Sequence, residues 1–284
     1  MLKRAFAVAV LIAVASPAPG YELKPSTPAS AFSSKLQPDI LGLSSNINAS
    51  KAGAIFEAHA REVPGSTPQA TQQKFGGSSI TYADTMRLDL PASPKRGSDS
   101  LFAAFSGPAS GNFAYYVARD LGFANGEQPT KSEMIQRITD KYGAPTLIGD
   151  GVIYYFYKGG KLVSVKQKYT PATAVDALNA PIAPKAAVAL NDSNGHGSCV
   201  AMLKRAQALT DKRLDNLNAE AKEANCDGLV AVGLTAGASA DRVGKAAFTL
   251  IDFKLAASAA KIDREALAEE KAVNRAPAGK APKL

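Results

Sequence analysis

Two histidines and two cysteines are the residues most able to do chemistry in this chain: His59, His196, Cys199 and Cys226. A Ser-His-Asp triad needs one of the histidines as its base. His59 falls in the first helical stretch, where a surface or half-buried position is expected. His196 lies in a polar stretch, Asn191 to Ser198, and Gly195-His196-Gly197-Ser198-Cys199 does not have the G-x-S-x-G register of a nucleophile elbow. The same stretch places Asp192, Asn194 and His196 at the first, third and fifth positions of an EF-hand-like count, with Gly197 at the sixth. These three are the metal-loop candidates. The twelfth position should be a bidentate acid and is Leu203, so an exposed turn cluster is the expected reading. No Cys/His cluster has zinc spacing. Gly244-Lys245 lacks the Walker A spacing from Gly237 and is followed by Ala246, and Gly228, Gly233 and Gly237 do not make G-x-G-x-x-G. Asp99, Asp120, Glu133 and Asp252 are isolated acids, each expected to cap or to be solvated. No metal, cofactor or catalytic residue is expected.

The cysteines fit an oxidising compartment. Neither has C-x-x-C spacing, and an even count there favours a Cys199–Cys226 disulfide over a reactive thiol. The N-terminus carries the matching address. Lys3-Arg4 precedes the apolar run Ala5 to Ala15, and Ala13-Val14-Ala15 supplies small residues for cleavage. The expectation is a signal peptide over 1–15, with 1–20 as the alternative, and a periplasmic or secreted product. The run is too short to span a bilayer. There is no Cys near either cleavage site for a lipid anchor, and no transmembrane segment is expected.

Composition narrows the rest. Apolar residues make up 46% of the 284, but 53 of them are Ala and none is Trp. That excludes a chain disordered throughout and a disulfide-dense miniprotein. The net charge is +8; loss of Lys3 and Arg4 leaves 31 basic residues against 25 acidic ones, or +6. The charges are scattered, with no Arg-rich stripe interleaved with aromatics, so nucleic acid is not expected as a partner.

The elements read as follows. Residues 16–38, rich in Pro, Ser and Ala, are expected to be a flexible lead-in. Asn48 is an N-cap for a helix to about Glu62, stopped by Pro64-Gly65. Residues 79–90 read as strand. Leu101–Phe105 and Phe113–Arg119 read as a hairpin. Thr130-Lys131-Ser132-Glu133 is a capping box, the helix it opens has Met134, Ile135, Ile138 and Tyr142 on one face, and Gly143 and Pro145 end it. Ile153–Tyr157 and Leu162–Gln167 flank the turn Gly159-Gly160. Residues 169–197 read as a linker or long loop. Beyond them lie a strand near Cys199–Leu203, a polar helix over Thr210–Ala224, strands over Gly228–Gly233 and Lys245–Leu255, a helix over 257–273 without a broad apolar face, and a disordered tail over 274–284. The disulfide-stapled β-rich segment 198–256 joins the sheet of the first module, 39–168, or forms a second one. Strands mostly follow strands, which gives an α+β fold: an antiparallel sheet with a few packed helices and flexible terminal segments.

Ile40-Leu41-Gly42-Leu43 before a helix, the helix and stop over Thr130–Pro145, and the Tyr-rich hairpin 153–167 resemble small secreted α+β modules of bacteria. Over about 39–168 the chain is similar to uncharacterised periplasmic proteins of proteobacteria. More distantly it resembles the β-lactamase-inhibitor-protein and outer-membrane assembly lipoprotein modules, although it lacks the lipobox Cys of the latter. The resemblance implies helices packed on an antiparallel sheet and carries over no functional residue.

Function is then expected to be binding. Tyr154, Tyr155, Phe156 and Tyr157 alternate across a predicted strand, so each face receives two aromatics. A face left open would offer apolar area with polar tips to a protein, peptide or glycan of the envelope. The groove beside the helix Lys131–Tyr142 is the other expected surface. The alternative is an exported hydrolase whose site is built from scattered carboxylates.

Overall fold

The computed structural model describes residues 22–32, 37–163, 169–182, 199–209, 212–223 and 226–275. The expected signal peptide, the tail beyond 275 and the metal-loop candidates Asp192, Asn194 and His196 lie outside the described residues.

One nine-stranded antiparallel sheet organises the fold. Its strands are β3 (Gln69–Lys74), β4 (Thr81–Leu90), β5 (Asp99–Phe105), β6 (Ala114–Gly122), β7 (Leu147–Gly149), β8 (Val152–Lys158), β9 (Lys161–Leu162), β10 (Gly228–Ala236) and β11 (Val243–Asp252). The order across the sheet is β3-β4-β5-β6-β11-β10-β8-β7, with β9 beside β8. The two β regions therefore form one sheet. β11 is inserted between β6 and β10, pairing Leu250 with both Val117 and Val230. A separate two-stranded ribbon, β1 (Asp39–Ile40) and β2 (Leu43–Ser44), packs on the sheet near its centre.

Helices cover both faces. α1 (Ala49–Ala60), α2 (Lys131–Tyr142) and α3 (Pro171–Asn179) pack on one. α4 (Cys199–Ala208), α5 (Leu214–Glu223) and α6 (Phe253–Arg275) pack on the other. Asn48 caps α1 by accepting from the amide of Lys51 at 3.0 Å. Thr130 and Glu133 form the reciprocal capping box of α2, which ends at Gly143 with φ +85°, a conformation that favours glycine.

Four expectations need correction. Cys199–Leu203 is helical rather than a strand: Cys199, Met202, Leu203 and Ala206 are buried at three- and four-residue spacing, a helical period hidden in a short apolar run. The expected linker holds α3, opened by a second capping box, Thr170 with Thr173, and by Pro171 in the first turn. The last strand stops at Asp252, whose Oδ1 accepts from the amide of Leu255 at 2.7 Å and starts α6 at Phe253. Within the expected lead-in, Ala31 and Phe32 are buried. Asp252 accepts from the Ala31 amide at 3.0 Å and the Ser30 hydroxyl at 2.6 Å, and Phe32 meets Tyr157 edge-on at 4.8 Å.

Cys199 and Cys226 are joined by a disulfide, with Cα atoms 5.8 Å apart. It ties the start of α4 to the entry of β10. No helix among the described residues is long and apolar enough to cross a membrane.

Candidate binding site

The aromatic surface expected on residues 154–157 does not exist. Tyr154, Tyr155, Phe156 and Tyr157 are all at most 3% exposed. Their side chains do alternate: Tyr155 and Tyr157 enter the core under α1–α3, and Tyr154 and Phe156 enter the core under α4–α6. A sheet covered on both faces buries both sets, and β8 lies inside the sheet between β10 and β7. The groove beside α2 is also filled. Met134, Ile135 and Ile138 are core, and the Tyr142 hydroxyl donates to the Asp39 carbonyl at 2.8 Å.

With both faces covered, the sheet can present its edges. The β7 edge is short and occupied. Ile148 donates its amide to the Tyr169 hydroxyl at 3.2 Å, Asp150 donates to the Ala180 carbonyl at 2.8 Å, and Ile182 packs on Gly149. The β3 edge is different. Its six residues pair with β4 on one side, and no strand among the described residues pairs with the other. Gln69, Ala70, Thr71, Gln72 and Lys74 are exposed and Gln73 is half-buried. The sequence signal for β3 was poor because Gln-Ala-Thr-Gln-Gln-Lys has no apolar alternation; β4 imposes the strand. A bulge between Thr71 and Gln72 and Pro68 just before the strand bound its usable length.

Hollows lie at both ends of β3. One is open and shallow, formed by residues 63–68 against the end of α1. The other has a volume of about 340 Å³ and lies between the β3–β4 hairpin, α6 and the start of α5. Asp84 and Asp263 face it and are 5% and 7% exposed. Asp263 accepts from the amides of Gly107 and Ser110 at 2.9 and 3.0 Å and from the Ser110 hydroxyl at 2.9 Å, so it also holds the 107–110 loop. Asp84 accepts from the Gln73 amide group at 3.0 Å. Burial pushes the Asp263 carboxyl above its ordinary range, Asp215 adds to that, and the three donors oppose it. The Tyr82 phenol beside them is pushed up to about 12, first by burial and then by Asp84, Asp263 and Asp215.

A second cluster sits where α1 crosses β5. His59 Nε2 is 2.8 Å from Asp99 Oδ2 and Nδ1 is 3.1 Å from Glu62 Oε1. Arg119 grips Asp99 with Nε at 3.0 Å and Nη2 at 2.6 Å, a fork geometry. Asp99 is therefore not the isolated acid expected. The other three acids also have partners. Asp120 pairs with Lys245 at 3.3 Å, Glu133 completes the α2 cap, and Asp252 takes the hydrogen bonds described above and one from Ser45 at 2.9 Å. The His59 cluster lines a hollow of about 260 Å³, but its groups satisfy one another, as in a structural ion-pair network. Among the described residues no group of His, Cys, Asp and Glu is placed to hold a metal ion.

No protein-family model, no curated protein and no solved structure matches the chain.

Proposed function

We propose that the protein is an exported, non-catalytic binding protein of the bacterial envelope that receives a protein or peptide partner as an added strand along β3. The observation that carries this reading is the exposed outer side of β3, which no strand among the described residues pairs, in a sheet whose two faces and β7 edge are covered. Such an edge offers a row of main-chain donors and acceptors, which recognises another main chain and not a glycan. The flanking hollows give places for the partner's side chains. The leader pattern of residues 1–15 and the disulfide support export, and the resemblance to periplasmic modules supports an envelope setting.

The hydrolase alternative would draw on Asp84 and Asp263, the buried acids of one pocket. Asp263 is committed to three hydrogen bonds that hold the 107–110 loop, which favours the binding reading.

Photo-crosslinking side chains at Thr71 and Gln72, both exposed, test the proposal in exporting cells. Adducts to a common protein are expected there and not at Gln136, exposed on α2. Successive strand amides point to opposite sides, so one of Ala70→Pro and Thr71→Pro removes an outward donor and should abolish the adduct in a folded protein. Equal adducts at Gln136, or adducts that survive both prolines, would reject the site.

A further inference from the structure

Residues 22–32 cross the molecule as an irregular pass that pairs with no strand. Other elements build the seat for this pass around Asp252, the fully buried carboxylate at the junction of β11 and α6. Each Asp252 oxygen takes one donor from the body of the fold and one from the pass. Oδ1 accepts from the Leu255 amide at 2.7 Å and from the Ala31 amide at 3.0 Å. Oδ2 accepts from the Ser45 hydroxyl at 2.9 Å and from the Ser30 hydroxyl at 2.6 Å. Leu255 and Ser45 thus orient the carboxylate, and each oxygen offers a further lone pair to a hydroxyl residue and to the amide after it. The Ser30 hydroxyl also accepts from the Phe32 amide at 3.1 Å, which sets the bend of the bound segment. Gly228, at the start of β10, leaves room for the middle residue: a Cβ there would stand 2.7 Å from the Ala31 Cβ and 3.0 Å from Phe32 Cζ. Ala31 is buried against it, so the position admits only a small residue. The Phe32 ring meets Tyr157 edge-on at 4.8 Å. Farther along the pass, the Ala109 carbonyl accepts from the Ser26 amide at 2.7 Å and the Ser258 hydroxyl from the Ala29 amide at 3.0 Å.

The seat reads a peptide residue by residue: a hydroxyl, then a small side chain, then an aromatic ring. Every copy of the chain carries one segment that fits it, Ser30-Ala31-Phe32. No sheet ladder holds that segment, so it can leave without breaking a strand pairing. We propose that the seat is a peptide-binding site which the chain fills with its own Ser30-Ala31-Phe32, and which the same segment of a second copy takes in trans. Reciprocal exchange remakes every contact of the seat and closes a two-fold dimer without a new interface. The covalent link to β1 keeps the chain's own segment at a high effective concentration, so dilute protein is monomeric and exchange needs concentrated protein with opened segments. β10 stands five strands from β3, and the inference is independent of the strand-addition reading.

The probe is a fluorescent peptide of residues 26–32, titrated against the full exported protein. In Phe32→Ala protein the resident segment is weakened while Asp252, Gly228 and Tyr157 stay in place, so the peptide should bind about tenfold more tightly than to the parent. Ser30→Ala protein, a milder change, should shift in the same direction and serves if Phe32→Ala fails to fold. Peptides carrying Ser30→Ala, Ala31→Val or Phe32→Ala should each bind about tenfold more weakly, the scale of one hydrogen bond to a charged group. Light scattering tests the second copy. Concentrated parent protein taken through mild urea and returned to buffer should contain dimer. Excess peptide present during the return should suppress that dimer, and protein with both Ser30→Ala and Phe32→Ala should not form it. Absence of peptide binding in every variant, binding indifferent to the three peptide changes, a parent that returns only as monomer, or a dimer that persists in the doubly substituted protein would overturn the proposal.

Discussion

His59 and Asp99 stand 40 residues apart in the sequence and 2.8 Å apart in the structure. That contact fastens α1 to the start of β5, and Arg119 extends it to β6. Both residues are buried, so removing the carboxylate leaves the Arg119 guanidinium and a ring nitrogen of His59 without their shared partner. Asp99→Ala should lower the unfolding free energy by about 3–5 kcal/mol, as for other broken buried pairs. Urea unfolding checks this; a loss under about 1 kcal/mol, the exposed-pair range, would contradict the network's role.

Local signals in the sequence carried much of this architecture. The Asn48 cap, the Thr130 capping box, the β5–β6 hairpin and the glycine turn after β8 are set by neighbouring residues, and all stand where expected. Signals that depend on distant partners were not legible. β3 is a strand because β4 pairs with it, the central place of β11 follows from long-range register, and Asp99 finds His59 across layers. Four aromatics on β8 predicted alternation correctly and exposure incorrectly, because the helices of the second face, α4 and α6 above all, are Ala-rich and gave little hydrophobic pattern. Asp84 and Asp263 had no spacing signal, since β4 and α6 meet only in three dimensions.

The N-terminal segment should behave as part of the core. Phe32 is 5% exposed against Tyr157, so Phe32→Ala should cost about 3 kcal/mol as a large-to-small change. It should also speed proteolysis between residues 22 and 32. Unchanged stability with unchanged cleavage would show that the segment is not docked.

The disulfide closes a separation of 27 residues. Reduction should lower stability by about 3–4 kcal/mol in the chain-entropy treatment. Thiol titration of the denatured, unreduced protein should find no free sulfhydryl. Titration of two would contradict the pairing.

Stability should fall as pH rises above the ordinary carboxylate range. Burial raises the carboxyls of Asp252 and Asp263, so the folded chain keeps protons that the unfolded chain has released. The unfolding free energy then declines from about pH 4 upward, through the folded-state pKa values. Asp89, held low by hydrogen bonding to Arg87, acts below that range in the opposite sense, and its stabilisation disappears as pH falls. Urea midpoints at about pH 4.5 and about pH 7 should differ less in Asp263→Asn and in Asp252→Asn than in the parent. A parent protein that gains stability across that interval would contradict this assignment.

Amide hydrogen exchange along residues 69–74 tests strand addition most directly. In the free protein the outward amides of β3 should exchange quickly, because only β4 holds the strand. A bound strand peptide should slow them by about tenfold or more, since each outward donor then closes a ladder hydrogen bond. Exchange that stays fast at 69–74 under saturating peptide, with protection appearing elsewhere on the surface, would contradict the account.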